Sequence, residues 1–259
     1  MGPSAQIGVH GQDALTINYN SGTTLNYLSS VGSEGAINGN INVNVANGSF
    51  NNQTASPAIT EALIGTAYGQ SSAAIDGNVN VSITNGEFYG NVKAASASGN
   101  NGALGGRASI KIGTAEEAFT GGFNAKINDG FASLEVSNAD TEVNFANAFN
   151  VDTLSVESGA KIGLAEGTSF EKFSIVFEGE FSGGETIDYA DVLADAETQT
   201  VVLSAIESGA QFTVFGGDQE WSTVFDNGQF TVGAAIPEPA EFAAFLGILA
   251  IFCAAARRR

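Results

Sequence analysis

The chain is poor in the residues that most enzyme chemistry needs. Among its 259 residues there is one histidine, His10, and one cysteine, Cys253. A Ser-His-Asp triad or a histidine metal site would hang on His10 alone, which reads as an exposed polar residue near the start of the chain. Cys253 sits inside an apolar run, so the preceding body has no disulfide, and the thiol reads as a small apolar lining residue. No Walker loop, dinucleotide fingerprint or Cys/His metal spacing occurs. Basic residues are scarce as well. Before Pro237 there are six, Lys93, Arg107, Lys111, Lys126, Lys161 and Lys172, against 26 acidic residues, a formal charge of −20. Nucleic acid and anionic membrane surfaces need a basic footprint, so neither is an expected partner. No catalytic residue and no cofactor is expected. A scattered surface calcium is compatible with so many carboxylates, although Gly216-Gly217-Asp218 lacks the tandem copies of a calcium nonapeptide array.

What is abundant points to strands and turns. Glycine reaches 33 residues while proline stops at four, and charged residues make up only 14% against 43% hydrophobic, enough to bury a core. Ile37–Phe50 (INGNINVNVANGSF) recurs as Ile75–Phe88 (IDGNVNVSITNGEF), 38 residues on. Weaker copies lie at Ala14–Gly22 and Arg107–Phe119. Within each copy the period is two: Ile41, Val43 and Val45 alternate with Asn40, Asn42 and Asn44, and Val79, Val81 and Ile83 with Asn78, Asn80 and Ser82. Each strand runs into an Asn-Gly (Asn47-Gly48, Asn85-Gly86), where positive φ is cheap, and then Phe50 or Phe88 returns to the core.

Self-similarity at this period predicts stacked windings, with Asn42 over Asn80 and Val43 over Val81, amides bonded along the stack and aliphatic ladders inside. Thirty-eight residues exceed one compact winding, so Ala62–Tyr68 and Val92–Ala97 are expected as extra strands, with a short helical turn over Ala58–Ile64 as the alternative to the first. The expected fold is all-β, a right-handed parallel β-helix or β-solenoid over 1–150, with an antiparallel β-sandwich as runner-up. From about Val151 the repeat fades. Short strands with glycine turns continue through LSVESGAKIGL, FSIVFEGEFSGGETIDY, TVVLSAIESGAQFTVF and WSTVFDNGQFTV, with one acidic and helix-like insertion at Asp188–Glu197. Residues 151–233 are therefore expected as a separate, membrane-proximal β-rich cap domain.

Residues 234–259 form a tail of three parts: Pro237, Glu238 and Pro239; an apolar run over 242–256; and Arg257, Arg258 and Arg259. The prolines make an exposed extended joint. The run is a single transmembrane helix candidate, and the arginines keep its end cytoplasmic. Fifteen helical residues reach about 22 Å against a hydrocarbon core of about 30 Å, and their insertion free energy is of order 3 kcal/mol. Such a span suits a transient handle better than a permanent anchor. The tail resembles the PEP-CTERM sorting signal of Gram-negative envelope proteins. That resemblance implies processing near Pro237–Pro239 by an exosortase-type transpeptidase, transit through the inner membrane, and delivery of the body to the outer surface or extracellular matrix. The repeat section resembles passenger regions of bacterial surface proteins. The N-terminal MGPSAQIGVHGQDAL has neither a basic nor an apolar leader region, so a truncated start or a fragment of a longer repeat protein is expected.

The leading expectation is a non-enzymatic surface or matrix protein whose polar ladders contact glycans or envelope polysaccharide by many weak hydrogen bonds. The alternatives are a polysaccharide lyase or hydrolase on the same scaffold, and a structural spacer or truncated remnant. For the enzyme, adjacent Glu116 and Glu117 would face opposite ways in a strand, and Glu178 and Glu180 share a face but read as solvated surface.

Overall fold

Alternating aliphatic and short polar residues favour extended backbone with one buried face and one hydrated face. The computed structural model describes residues 5–6, 15–20, 23–24, 28–29, 40–50, 62–65, 77–88, 91–93, 106–127, 130–188, 193, 196–226 and 229–236. His10, Cys253, and everything from Pro237 onward, including the expected span 242–256, lie outside them. The described residues are mostly β, with one helix.

The first strands in chain order are β1 (Ala5–Gln6), β2 (Leu15–Tyr19), β3 (Thr23–Thr24) and β4 (Leu28–Ser29). Next come β5 (Ile41–Val45), β6 (Ser49–Phe50), β7 (Ala62–Gly65), β8 (Val79–Ile83), β9 (Glu87–Phe88) and β10 (Asn91–Lys93). They are followed by β11 (Ala108–Ile112), β12 (Gly122–Phe123), β13 (Lys126–Ile127), β14 (Phe131–Val136) and β15 (Glu142–Phe145). The last group is β16 (Asn150–Glu157), β17 (Lys161–Leu164), β18 (Ser169–Phe177), β19 (Thr186–Asp188), helix α1 (Ala196–Glu207), β20 (Gln211–Gly216), β21 (Gln219–Asp226) and β22 (Gln229–Ala235).

The chain visits three sheets in rotation. β2, β5, β8, β11, β14, β16, β18 and β20 run parallel, neighbour to neighbour, in one long sheet. β3, β6, β9 and β12 form a second parallel sheet, and β1, β4, β7, β10 and β13 a third. β15 and β17 pair separately, also in parallel. Beyond β20 the long sheet turns antiparallel through β21, β22 and β19. Gly217, with φ of 60°, starts the two-residue turn between β20 and β21. β16 pairs with β14 before it and β18 after it, so the sheet is continuous through residues 150 and 151.

The register is the one the repeat predicts: Asn42 pairs with Asn80 and Val43 with Val81. The segments expected to add strands do so over Ala62–Gly65 and Asn91–Lys93. The separation between paired strands, however, is not constant. Successive outer ladder positions lie 26 residues apart from Asn18 to Asn44, 38 from Asn42 to Asn80, 29 from Asn80 to Ser109 and 24 from Lys111 to Glu135. At Asn150 and Ser169 the separation is 19. What fades after residue 150 is therefore the sequence likeness, while parallel strand pairing persists across connections of 19 and then 39 residues.

Inside, one row of the long sheet runs Val43, Val81, Ile110, Leu134, Leu154 and Phe173, none more than 2% exposed. Below it Phe88 stacks on Phe123 at 5.8 Å, and Phe123 meets Phe145 edge-on at 5.3 Å. Burial of such side chains contributes about 1.5–3 kcal/mol each. At the corner, a Cβ on Gly86 would strike the Gly48 carbonyl oxygen. The Asn-Gly thus serves close stacking of one turn on the next as well as its φ of 131°.

One segment differs from expectation. TVVLSAIESGAQFTVF reads as strand with a glycine turn, yet α1 occupies Ala196–Glu207; of the helix-like stretch expected at Asp188–Glu197, residues 189–192, 194 and 195 lie outside the described residues. The Val201-Val202-Leu203 run imitates a strand. The buried side of α1 instead follows helical spacing through Thr198, Val201, Val202, Ala205 and Ile206. Gly209, with φ of 109°, ends the helix: its N–H donates to the Ile206 carbonyl at 2.9 Å and the Ala210 N–H to the Ala205 carbonyl at 3.0 Å. These are the two bonds of a Schellman cap. The same ESGA tetrapeptide at Glu157–Ala160 ends strand β16 instead.

Candidate functional surface

The outward residues of the long sheet make two polar ladders. One passes through Asn42, Asn80, Ser109, Ser133, Thr153, Lys172 and Gln211 in register. The Asn80 amide donates to Asn42 Oδ1 at 2.9 Å and its own oxygen accepts from Ser109 Oγ at 3.0 Å. In the other, Asn44 Nδ2 donates to Asn18 Oδ1 at 2.8 Å and Lys111 Nζ meets Glu135 at 2.8 Å. At the winding corner, Asn40 Oδ1 accepts from the Asn78 N–H and Asn78 Oδ1 from the Arg107 N–H, both at 2.9 Å. Each bond ties one strand segment to the next through a group that would otherwise need water.

From β14 onward the outer face widens. Phe131 and Leu134 are both buried, so Ala132 and Ser133 between them lie on the outer side; the pairing with β11 shifts register at this point. The pattern recurs at Val151–Leu154 and at Phe170–Phe173, which puts Asp152 with Thr153 and Glu171 with Lys172 on the outer face. The register shift lies between β11 and β14, and the paired outward residues it introduces are kept on β16 and β18. Helix α1 stands beside this ledge, and between them lies an open groove of about 1220 Å³. Thr153, Lys172 and Gln211 line its sheet side, Glu197, Thr200 and Ser204 its helix side, and Arg107 is among the lining residues. Lys172 Nζ is held by Glu220 at 2.6 Å and sits 5.5 Å from the Phe215 ring centre. Because β20 lies between β18 and β21, this ion pair crosses a whole strand.

The helix is fixed against the stack by Thr198, which is fully buried. Its hydroxyl accepts from the Leu164 N–H at 3.0 Å and donates to the Ile162 carbonyl at 3.2 Å. Those are the groups on either side of Gly163 that a further parallel strand would bond. One side chain thus stands in for a strand at the edge of β17.

The residues singled out from sequence distribute as follows. Pro237, Glu238, Pro239, Arg257, Arg258 and Arg259 lie outside the described residues, as does His10. Glu116 and Glu117 sit in a turn closed by Thr114, exposed, and not in a strand. Glu178 and Glu180 are exposed beyond the end of β18. Lys161 pairs with Glu142 at 2.7 Å. No group of three metal-ligating side chains occurs among the described residues. No helix among them is long and apolar enough to cross a membrane. The groove was missed because its helical wall was read as strand. Two signals could have found it: helical spacing over Thr198–Ile206, and the apolar-x-x-apolar motif of FASL, VDTL and FEKF at 131, 151 and 170.

No protein-family model, curated protein or solved structure matches the chain in the comparisons made.

Proposed function

We propose that this chain is a non-enzymatic surface or matrix protein, exported, sorted through its C-terminal tail by an exosortase-type enzyme, and built to contact glycans along one polar face. In this reading the body is a right-handed parallel β-helix, closed at its C-terminal end by the antiparallel strands and α1. Parallel pairing of eight successive long-sheet strands supports the helix over the antiparallel sandwich. The observation that carries the glycan reading is the outer ladder, where amides and hydroxyls repeat in register along a rigid sheet. Such a surface offers many individually weak hydrogen bonds, and avidity rather than one deep pocket supplies strength.

The sorting half is tested in a Gram-negative host carrying an exosortase-type enzyme. Full-length chain with Pro237→Ala, Glu238→Ala and Pro239→Ala should accumulate unprocessed in the inner membrane fraction. Unchanged processing and surface delivery would sink the tail assignment. The glycan half is tested by retention of the chain on envelope polysaccharide.

A second reading, a carbohydrate-active enzyme, draws support from the groove, which gathers Asp152, Glu166, Glu171 and Glu197 with Arg107 and Lys172. It predicts loss of polymer viscosity on incubation with the chain, abolished by Asp152→Asn or Glu171→Gln. Constant viscosity over a panel of polymers rejects it.

A further inference from the structure

We propose that the groove between α1 and the outer face of the long sheet holds a neutral polysaccharide strand lying along the stack, and that it turns away anionic polymers. This rests on the glycan reading above and names its site and substrate class.

Size is the first argument. Small-molecule pockets run to about 300–1,000 Å³, whereas this groove is open and about 1220 Å³, room for several units of a polymer. Spacing is the second. Thr153, Lys172 and Gln211 sit on adjacent parallel strands in register, hence about 4.8 Å apart. That is close to the advance per unit of an extended β-linked pyranose chain, so a strand lying across the β-strands meets one polar side chain per sugar. The doubled outward positions add Asp152 and Glu171 to the same ledge, and Thr200 and Ser204 face them from α1. Hydroxyls and amides both donate and accept, and a carboxylate can accept from two neighbouring sugar hydroxyls.

Charge decides which polysaccharide. Four carboxylates line the groove, Asp152, Glu166, Glu171 and Glu197, against Arg107 and Lys172. Lys172 is already engaged by Glu220 at 2.6 Å. A uronate or sulfated chain would bring further negative charge within the screening length of about 8 Å at physiological ionic strength. The body's formal charge of −20 opposes its approach from any side.

The test is native affinity electrophoresis of the full chain, kept soluble in a polyoxyethylene detergent that carries no sugar. Hydroxyethylcellulose serves as the neutral polymer, polygalacturonate as the anionic one and polylysine as a basic competitor. Retardation by hydroxyethylcellulose but not polygalacturonate is expected, with less than a twofold change between low and physiological salt. Ser204→Trp, on the exposed side of α1, should weaken that retardation at least tenfold, and Thr200→Arg likewise if the tryptophan variant folds poorly. Glu171→Lys with Glu197→Lys should admit polygalacturonate. Retardation by the neutral polymer that survives both groove variants overturns the groove but leaves glycan binding standing. Preference for polygalacturonate, or displacement of the neutral polymer by polylysine at lower concentration than by itself, overturns the substrate class. Retardation by no polymer overturns this proposal and the glycan reading together.

Discussion

Replacing Thr198 by valine is the most discriminating single perturbation of this fold. The substitution keeps the shape and removes the hydroxyl, so the Leu164 N–H and the Ile162 carbonyl lose their partner together. Thr198 is 0% exposed, so water cannot take its place without opening the helix. Each orphaned buried group costs about 1–3 kcal/mol, which puts Thr198→Val at about 2–6 kcal/mol. Serine is the control. Thr198→Ser keeps both hydrogen bonds and removes one buried methyl, at a cost of about 1 kcal/mol. A long array of parallel strands need not unfold in one step, so the denaturation midpoint should be read beside a local probe. Amide exchange at Leu164 supplies it: exchange should accelerate in the valine variant and stay slow in the serine variant. Equal effects of the two substitutions on midpoint and on Leu164 exchange would show that the hydroxyl does not substitute for a strand.

Three other outcomes are expected. Gly86→Ala forces a methyl onto the Gly48 carbonyl at a φ of 131°; overpacking of this kind costs about 1–3 kcal/mol, to be checked as a lowered urea midpoint beside an unchanged Gly179→Ala, where a Cβ meets nothing within 4 Å. Asn80→Asp replaces the donor to Asn42 with a second acceptor and should destabilise by about 1–2 kcal/mol, more than Asn80→Ser; equal midpoints would mean the amide ladder is ornamental. Backbone N–H groups, led by that of Ser182, hold the Glu185 carboxyl below its ordinary value of 4.5. A depressed folded-state value contributes stability that is complete above about pH 4.5 and lost as pH falls through the lower folded value. Wild type should therefore lose its advantage over Glu185→Gln as the pH is lowered through that window, and parallel midpoint curves would refute it.

The parts of the fold legible in the sequence are those in which one residue type does one job. Valine and isoleucine at every second position of Ile41–Val45 and Val79–Ile83 fix a buried face, and a one-residue slip would expose the whole row. The register Asn42 to Asn80 follows directly. What escaped is whatever depends on context. Thr198, Val201 and Val202 carry strand propensity but sit beside the open edge of β17, where burying one helical face outweighs it. The ESGA at 157 and at 207 shows the same limit: glycine supplies a positive φ in both, and only the preceding structure decides whether it ends a strand or a helix. The groove was illegible for a related reason. Asp152 and Glu171 look like ordinary surface acids until the buried pairs Val151/Leu154 and Phe170/Phe173 force two consecutive side chains outward.

The change in separation between paired strands links these observations. A connection of 38 residues between Asn42 and Asn80 leaves room for excursions through all three sheets, and one of 19 between Asn150 and Ser169 does not. The third sheet accordingly ends at β13. The extra outward residue at Ala132, Asp152 and Glu171 falls on the strands with these shorter separations. The edge of β17 away from β15 is covered by α1, which belongs to the 39-residue connection from Ser174 to Thr213. The ledge thus falls on strands with short connections and the helical wall on the long connection that follows them, and the groove forms where the two meet.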